Sequence, residues 1–195
     1  VTLGKRGKET DLVSPTMLES RGVEVFRVDR GGEATYHGPG QLVVYPILRL
    51  EDLGLGVVDV VRNLAGALAD TLRDEWELAT EYDPDYPGLW TLEEPRRKIA
   101  SVGMRVSRGV STHGAAINLV NDLIPFSWIR ACGMSNAPMT RLQDYVDHDV
   151  DLEGFAAQFL ARFASRIGVE LTERAEELPP EDQPADPPPH TTITR

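Results

Sequence analysis

Cysteine is nearly absent from this sequence of 195 residues: Cys132 is the only one. A lone cysteine excludes an internal disulfide, a four-cysteine zinc site and an iron–sulfur cluster. What remains is a buried filler, a surface thiol or a nucleophile. Long apolar runs are also missing, since no stretch approaches the roughly 20 residues that span a bilayer. Nor is there a charged-then-apolar leader, so the expected location is the cytoplasm. Positive charge is the minority: 20 basic against 31 acidic residues give a net charge of −11, which argues against nucleic acid as the main partner. The hydrophobic share is 41%, enough for the core of one globular domain.

The basic residues are unevenly spread. Arg96, Arg97, Lys98, Arg105 and Arg108 fall between 96 and 108 with no carboxylate among them, and Lys5, Arg6 and Lys8 form a second group. On charge alone these are either a solvated face or a site for an anionic partner.

Periodicity organises the chain. Residues 23–28 read as a strand, and 42–50 as another with Pro46 near a sheet edge. Val57, Val60, Val61, Leu64, Leu68 and Leu72 predict a helix over 57–75. A loop is expected at 82–88, then strands over 88–92, 98–106 and 110–120, with Ser107-Arg108-Gly109 as a hairpin turn. Residues 121–148 are less regular and carry the cysteine. A second helix, 151–167, opens at the N-cap Asp151 and repeats Phe155, Phe159 and Phe163. Residues 169–172 add a short strand. From Glu173 the chain is acidic and proline-rich, the composition of a disordered tail. Strands joined by short turns predict an α+β single domain with a mixed, mainly antiparallel sheet packed by helices.

Four stretches carry polar groups in glycine-rich settings. The first runs RGGEATYHGPGQ from Arg30 to Gln41. Its glycines allow close backbone approach, and it is neither a Walker A loop nor a GxGxxG fingerprint. As a bare pattern it is either a ligand-contacting loop or an elaborate turn. The second is Lys98-Ile99-Ala100-Ser101-Val102-Gly103; a lysine in an alternating strand ordinarily points to solvent. The third is Thr112-His113-Gly114-Ala115-Ala116-Ile117-Asn118, where small residues make either a shallow floor or a close strand contact. The fourth is Arg130-Ala131-Cys132-Gly133-Met134, followed by Met139-Thr140-Arg141-Leu142.

Together the four resemble the octanoyltransferase family of lipoate biosynthesis, also called lipoate-protein ligase B, within the biotin/lipoate protein ligase superfamily. The family pattern of Arg-Gly-Gly, Thr, His, Gly-Gln and a strand with Tyr is filled here by RGGEATYHGPGQLVVY. Lys-Ile-x-Ser-x-Gly, His-Gly-x-Ala-x-Asn and Cys-Gly ahead of Met-Thr follow in the family's order. The likeness covers roughly residues 1–172, and implies that this catalytic domain lacks the family's N-terminal strand and helix.

What the resemblance implies is transfer of an octanoyl (or lipoyl) group from octanoyl-acyl carrier protein to a lysine of apo lipoyl domains. Those acceptors belong to 2-oxoacid dehydrogenase complexes and the glycine cleavage H protein. It implies Cys132 as nucleophile and Lys98 as its proton partner, in a monomer that needs no cofactor, metal, membrane or nucleic acid. It places Arg30, Gly31, Gly32, Glu33, Ala34, Thr35, Tyr36 and His37 around the acyl chain, with Ser101, Val102, Gly103, Gly114, Ala115 and Ala116. Carrier proteins and lipoyl domains are generally acidic, so the cluster at 96–108 is read as a docking surface. Two rival readings are an ATP-dependent lipoate or biotin ligase, which needs no cysteine, and a non-catalytic acyl-carrier-binding relative. A cysteine hydrolase finds no recognisable partner pattern among the histidines.

Overall fold

In the computed structural model, which describes residues 1–131, 133–134, 137–172 and 193–194, the chain begins with a short strand, β1 (Thr2–Leu3). Then come α1 (Pro15–Ser20), β2 (Phe26–Arg27), β3 (Ala34–Thr35) and β4 (Gln41–Val44). A single turn, α2 (Leu50–Leu53), leads into the long helix α3 (Val57–Trp76). Four strands follow: β5 (Thr80–Asp83), β6 (Gly88–Thr91), β7 (Lys98–Ser107) and β8 (Val110–Asn118). Helix α4 (Leu152–Ile167) and β9 (Glu170–Leu171) come next, and Ile193–Thr194, labelled β10, pairs antiparallel with β9. The rest of the stretch read as a disordered tail, 173–192 and 195, lies outside the described residues.

The main sheet has five strands in the order β4-β8-β7-β6-β5, every neighbouring pair antiparallel. A three-stranded sheet, β2-β1-β3, mixes one parallel with one antiparallel pair. This is the expected α+β domain with a mixed, mainly antiparallel sheet. Among the described residues no helix is long and apolar enough to cross a membrane.

Two cores follow from the two sheets. The larger takes Val60, Leu64, Leu68 and Leu72 of α3, Phe155, Phe159 and Phe163 of α4, and Leu89, Ile99, Ala100, Val102 and Ile117 of the main sheet. Val57, read as part of the buried stripe, is 48% exposed because the stripe reaches the core only from the second turn. The α3–α4 seam is fastened at its rim, where Arg166 donates to Asp70 (3.0 Å) and Trp76 to Gln158 (3.3 Å). The smaller core joins Val1, Leu3, Leu18, Ala34 and Tyr36 to Phe126, Ile129 and Ala131.

Several boundaries differ from the sequence reading. The strand read over 23–28 is paired only at Phe26–Arg27. The strand read over 42–50 breaks after Val44, where Pro46 has no N–H to give, rejoins β8 at Arg49, which bridges antiparallel to Val110, and ends as Leu50 begins α2. The expected loop at 82–88 starts inside β5, whose polar Thr80-Glu81-Tyr82-Asp83 lacks an apolar alternation. The hairpin at 107–110 forms as expected: Ser107 pairs with Val110, and Arg108 and Gly109 take φ of 50° and 77°, a type I′ pattern.

Candidate active site

The two cores meet along a cleft of about 550 Å³, part of it open to solvent. Its floor is the exposed face of β4, β8 and β7, and its roof is the loop 30–37. Close packing around the roof explains two glycines, one on the floor and one just after β1. A Cβ on Gly103 would stand 2.9 Å from the Gly31 carbonyl oxygen, and one on Gly4 only 2.5 Å from that of Gly32. The Gly31 N–H donates to the Met104 carbonyl at 3.1 Å, tying roof to strand.

Every residue expected around the acyl chain lines this cleft except Tyr36. Tyr36 turns into the smaller core, edge-on to Phe126 at 5.6 Å. Arg6, Val43, Tyr45, Pro87 and His113 also line the cleft and were not singled out as lining residues. The alternation of Val43 and Tyr45 was a signal for their placement; Pro87 gave none.

Lys98 is fully buried, although its strand pattern points it to solvent. The reason is a bulge. Leu89 pairs with Ala100 and Trp90 with Lys98, so Ile99 is an extra residue on β7. Ile99 and Ala100 both enter the large core, and Lys98 is turned to the other face. There its Nζ donates to the carbonyls of Tyr86 (3.1 Å) and Pro87 (3.0 Å) and lies 5.5 Å from the Trp90 ring centre. Those carbonyls are presented by a turn that Asp83 shapes, its Oδ1 accepting from the N–H groups of Asp85 (2.8 Å) and Tyr86 (3.1 Å). Burial alone would raise the Asp83 carboxyl. The Tyr86 N–H and Arg96 outweigh it and hold the group below its ordinary value.

Cys132 lies outside the described residues. Its described neighbours border the cleft: Ala131 bridges in parallel to Ala34, and the Cβ position of Gly133 is 3.7 Å from the Glu33 carboxyl carbon. Further on, Met139 bridges to Lys98, with the Lys98 N–H donating to Pro138 (2.7 Å) and the Thr140 N–H to Lys98 (3.0 Å). The N–H groups of Gly31 and Gly133 donate to the Met104 and Arg130 carbonyls and so are not available to hold an oxyanion.

Thr2 and polar residues of the first, third and fourth motifs form one directed chain. Arg30 donates to the Thr2 hydroxyl oxygen (3.0 and 3.2 Å), and Thr2 donates to His37 Nε2 (3.2 Å). His37 Nδ1–H donates to Gln41 Oε1 (2.8 Å), and Gln41 Nε2 donates to Asn118 Oδ1 (2.9 Å). Asn118 Nδ2 then donates to the Thr140 carbonyl (3.0 Å). The tautomer of His37 follows, because the Gln41 amide nitrogen is committed to the Tyr36 and Asn118 oxygens and leaves Oε1 facing the ring. Burial, aided by Arg30, pushes His37 below its ordinary pKa despite the bond to Gln41. His37 and Gln41 therefore brace the roof against the floor.

His113 has φ of 58°, a left-handed conformation in mid-strand. Plain alternation would put it on the side of buried Ser111; instead it lines the cleft, edge-on to Tyr45. Burial, then Arg30 and Arg105, lower its pKa.

The basic cluster is largely neutralised. Arg96 pairs with Glu81 and Asp83, Arg97 with Glu93 (3.4 Å), and Arg105 with Asp29, while Lys98 is buried. These carboxylates come from neighbouring strands and loops, out of sight in a local count of charge. A strongly positive docking face at 96–108 is thus not what the fold presents.

Residues 1–164 match the family described as the lipoyl protein ligase A/B catalytic domain. The chain belongs to the octanoyltransferase side of that family. It is 40% identical over 156 residues to an octanoyltransferase of Koribacter versatilis, covering 78% of this chain and 62% of the relative. To an octanoyltransferase of Desulfotalea psychrophila it is 41% identical over 171 residues, covering 86% and 74%. The family's fold is shared by a bipartite lipoate protein ligase of Thermoplasma acidophilum, with a TM-score of 0.68 at 16% identity over 89% of this chain and 69% of that one. A biotin protein ligase of Aquifex aeolicus gives 0.56 at 16% identity over 86% and 69%. Membership makes the protein one of a family of acyltransferases.

Proposed function

We propose that the protein moves an octanoyl group from the thioester of acyl carrier protein to a lysine of a lipoyl domain, by way of an acyl-thioester on Cys132. The reading is carried above all by the buried amine of Lys98, held at the cleft by two main-chain carbonyls. A lysine is not sequestered in this way for solubility. The two carbonyl oxygens fix where the amine stands.

The reaction runs in two halves. A neutral Lys98 takes the Cys132 proton, and the thiolate attacks the donor carbonyl. The tetrahedral intermediate expels the carrier thiolate, which leaves as the thiol with the proton returned by Lys98. The acceptor lysine amine then attacks the acyl-Cys132 carbonyl and gives up a proton to Lys98. Cys132 departs as thiolate, recovers the proton, and an amide remains. One thioester bond is exchanged for another and then for the more stable amide, so no ATP enters. The acyl chain lies on Ser101, Gly103, Gly114 and Ala116 beneath the 30–37 loop, where each buried methylene contributes about 0.8 kcal/mol. The acceptors are the lipoyl domains of 2-oxoacid dehydrogenase complexes and the glycine cleavage H protein, and the setting is the cytoplasm.

The test is intact-protein mass spectrometry after mixing with octanoyl-acyl carrier protein, beside Cys132→Ser and Lys98→Ala. The expected result is a single octanoyl adduct, absent in Cys132→Ser, slow to form in Lys98→Ala, and discharged by apo lipoyl domain without ATP. Transfer that proceeds at the native rate in Cys132→Ser would refute the covalent route.

A further inference from the structure

One residue at the end of the cleft away from Lys98 borders two hollows. His113 lines the cleft, and it also lines a second, more open depression bordered by Gly4, Lys5, Arg27, Val28 and Asp29. A side chain shared by two adjoining hollows is the wall between them. It is held on two sides: Nε2 lies 2.7 Å from Asp29 Oδ1, and the Tyr45 ring meets it edge-on at 5.6 Å. Its left-handed backbone turns it out of the strand's alternation and across the floor.

The position of this wall matches the cargo. Pro87, which accepts from Lys98, bonds to the Val102 N–H, and Gly88 pairs with Ser101; the reacting end therefore sits over the Ser101–Ala116 rung. His113 pairs with Met104. Three residues along a strand at about 3.3 Å each give roughly 10 Å. An extended eight-carbon chain, with bonds of about 1.5 Å in a zigzag, is about 9 Å long.

We propose that His113 is the specificity residue that sets acyl length, by blocking passage from the cleft into the second depression. The inference rests on the acyl-transfer reading. It assigns the family reaction a length limit at the imidazole, and makes the depression beyond it the path a longer chain takes once the block is gone.

The variant that tests this is His113→Gly, because glycine adopts the left-handed φ of this position without strain. Transfer to lipoyl domain is measured from octanoyl and dodecanoyl thioesters, and the readout is the ratio of their kcat/KM values, in which a general loss of activity cancels. The ratio of dodecanoyl to octanoyl should rise roughly tenfold or more, since two methylenes newly accommodated are worth about fourfold each. Asp29→Ala, which removes the acceptor at Nε2 and keeps the ring, should raise it less. An unchanged ratio in His113→Gly overturns the proposal. Should the native protein transfer no octanoyl at all, the acyl-transfer reading fails on its own. Thermal shift with free octanoate and dodecanoate then still decides the partition: a preference for the longer acid gained in His113→Gly supports it, and an unaltered preference overturns it. Tyr45→Ala, opening the same wall from the other side, replaces His113→Gly if that variant does not fold.

Discussion

Replacing Gly88 with alanine would place a methyl group where the structure has no room for one. The Cβ would stand 2.1 Å from the Ala100 carbonyl oxygen and 2.4 Å from Cε of Lys98. Ordinary contact begins near 3.4 Å, so the overlap with each atom is about 1 Å or more. Main chain cannot yield that much inside a paired ladder, and β6 must lift away from β7 or Lys98 must leave its two carbonyls. Overpacking of this kind costs about 1–3 kcal/mol. The effect on chemistry should be larger in proportion, because displacing a reacting group by about 1 Å can lower a rate by about 100-fold. The assay is acylation of Cys132 by octanoyl-acyl carrier protein in a single turnover, at a temperature where circular dichroism shows Gly88→Ala fully folded. Urea titration supplies the stability change separately. Because the glycine acts through Lys98, the double variant with Lys98→Ala should be no slower than Lys98→Ala alone. A Gly88→Ala rate close to native, or losses that simply multiply in the double variant, would refute the reasoning.

Asn118→Ala removes the link between Gln41 and the Thr140 carbonyl in a site that is 1% exposed. With Gln41, Asn121 and the Thr140 carbonyl each losing a bond, it should destabilise the protein by about 2 kcal/mol, read from urea midpoints. His37 is held below its ordinary pKa by burial, so the unfolded chain takes up a proton there first as pH falls. Its stabilising share is therefore complete above about pH 6.5 and declines as pH falls from there toward the lowered native value. His37→Gln should flatten the decline of melting temperature between pH 7 and 5; an equally steep decline would assign the acid sensitivity elsewhere. Arg105→Glu sets a carboxylate against Asp29 and should loosen the His113 end of the cleft. Its effect on the KM for carrier protein should show little salt dependence, since Arg105 is already paired.

How far the sequence carries can be judged from single positions. The hairpin at 107–110 was legible because Gly109 falls between two strand-like runs, where a two-residue loop calls for positive φ. Helix α4 was legible because its aromatic period and Asp151, which accepts from the Glu153 N–H at 3.0 Å, agree. Strand β5 was not, since TEYD pairs through its backbone and shows no apolar alternation. The motif residues were visible as a set, but two that matter were aimed wrongly by period alone. Lys98 is turned by the bulge at Ile99, and His113 by one left-handed residue, and neither irregularity leaves a mark in composition. The charge cluster failed for another reason. Glu81, Asp83 and Asp29 reach the arginines only after folding, and Glu93 stands just outside the stretch that was counted, so local net charge overstated the field.

The bulge also divides β7 mechanically. From Ala100 onward one edge of the strand is bonded to β8, and with it the cleft floor is fixed. At Lys98 that same edge is bonded instead to residues 138–140, the stretch that follows the cysteine in sequence. The main chain of Lys98 is thus tied on this edge to a different part of the sequence from the edge that carries the cleft floor. Strand β7 thereby fastens the stretch that follows the cysteine to the cleft floor, and the two keep their spacing through one continuous backbone.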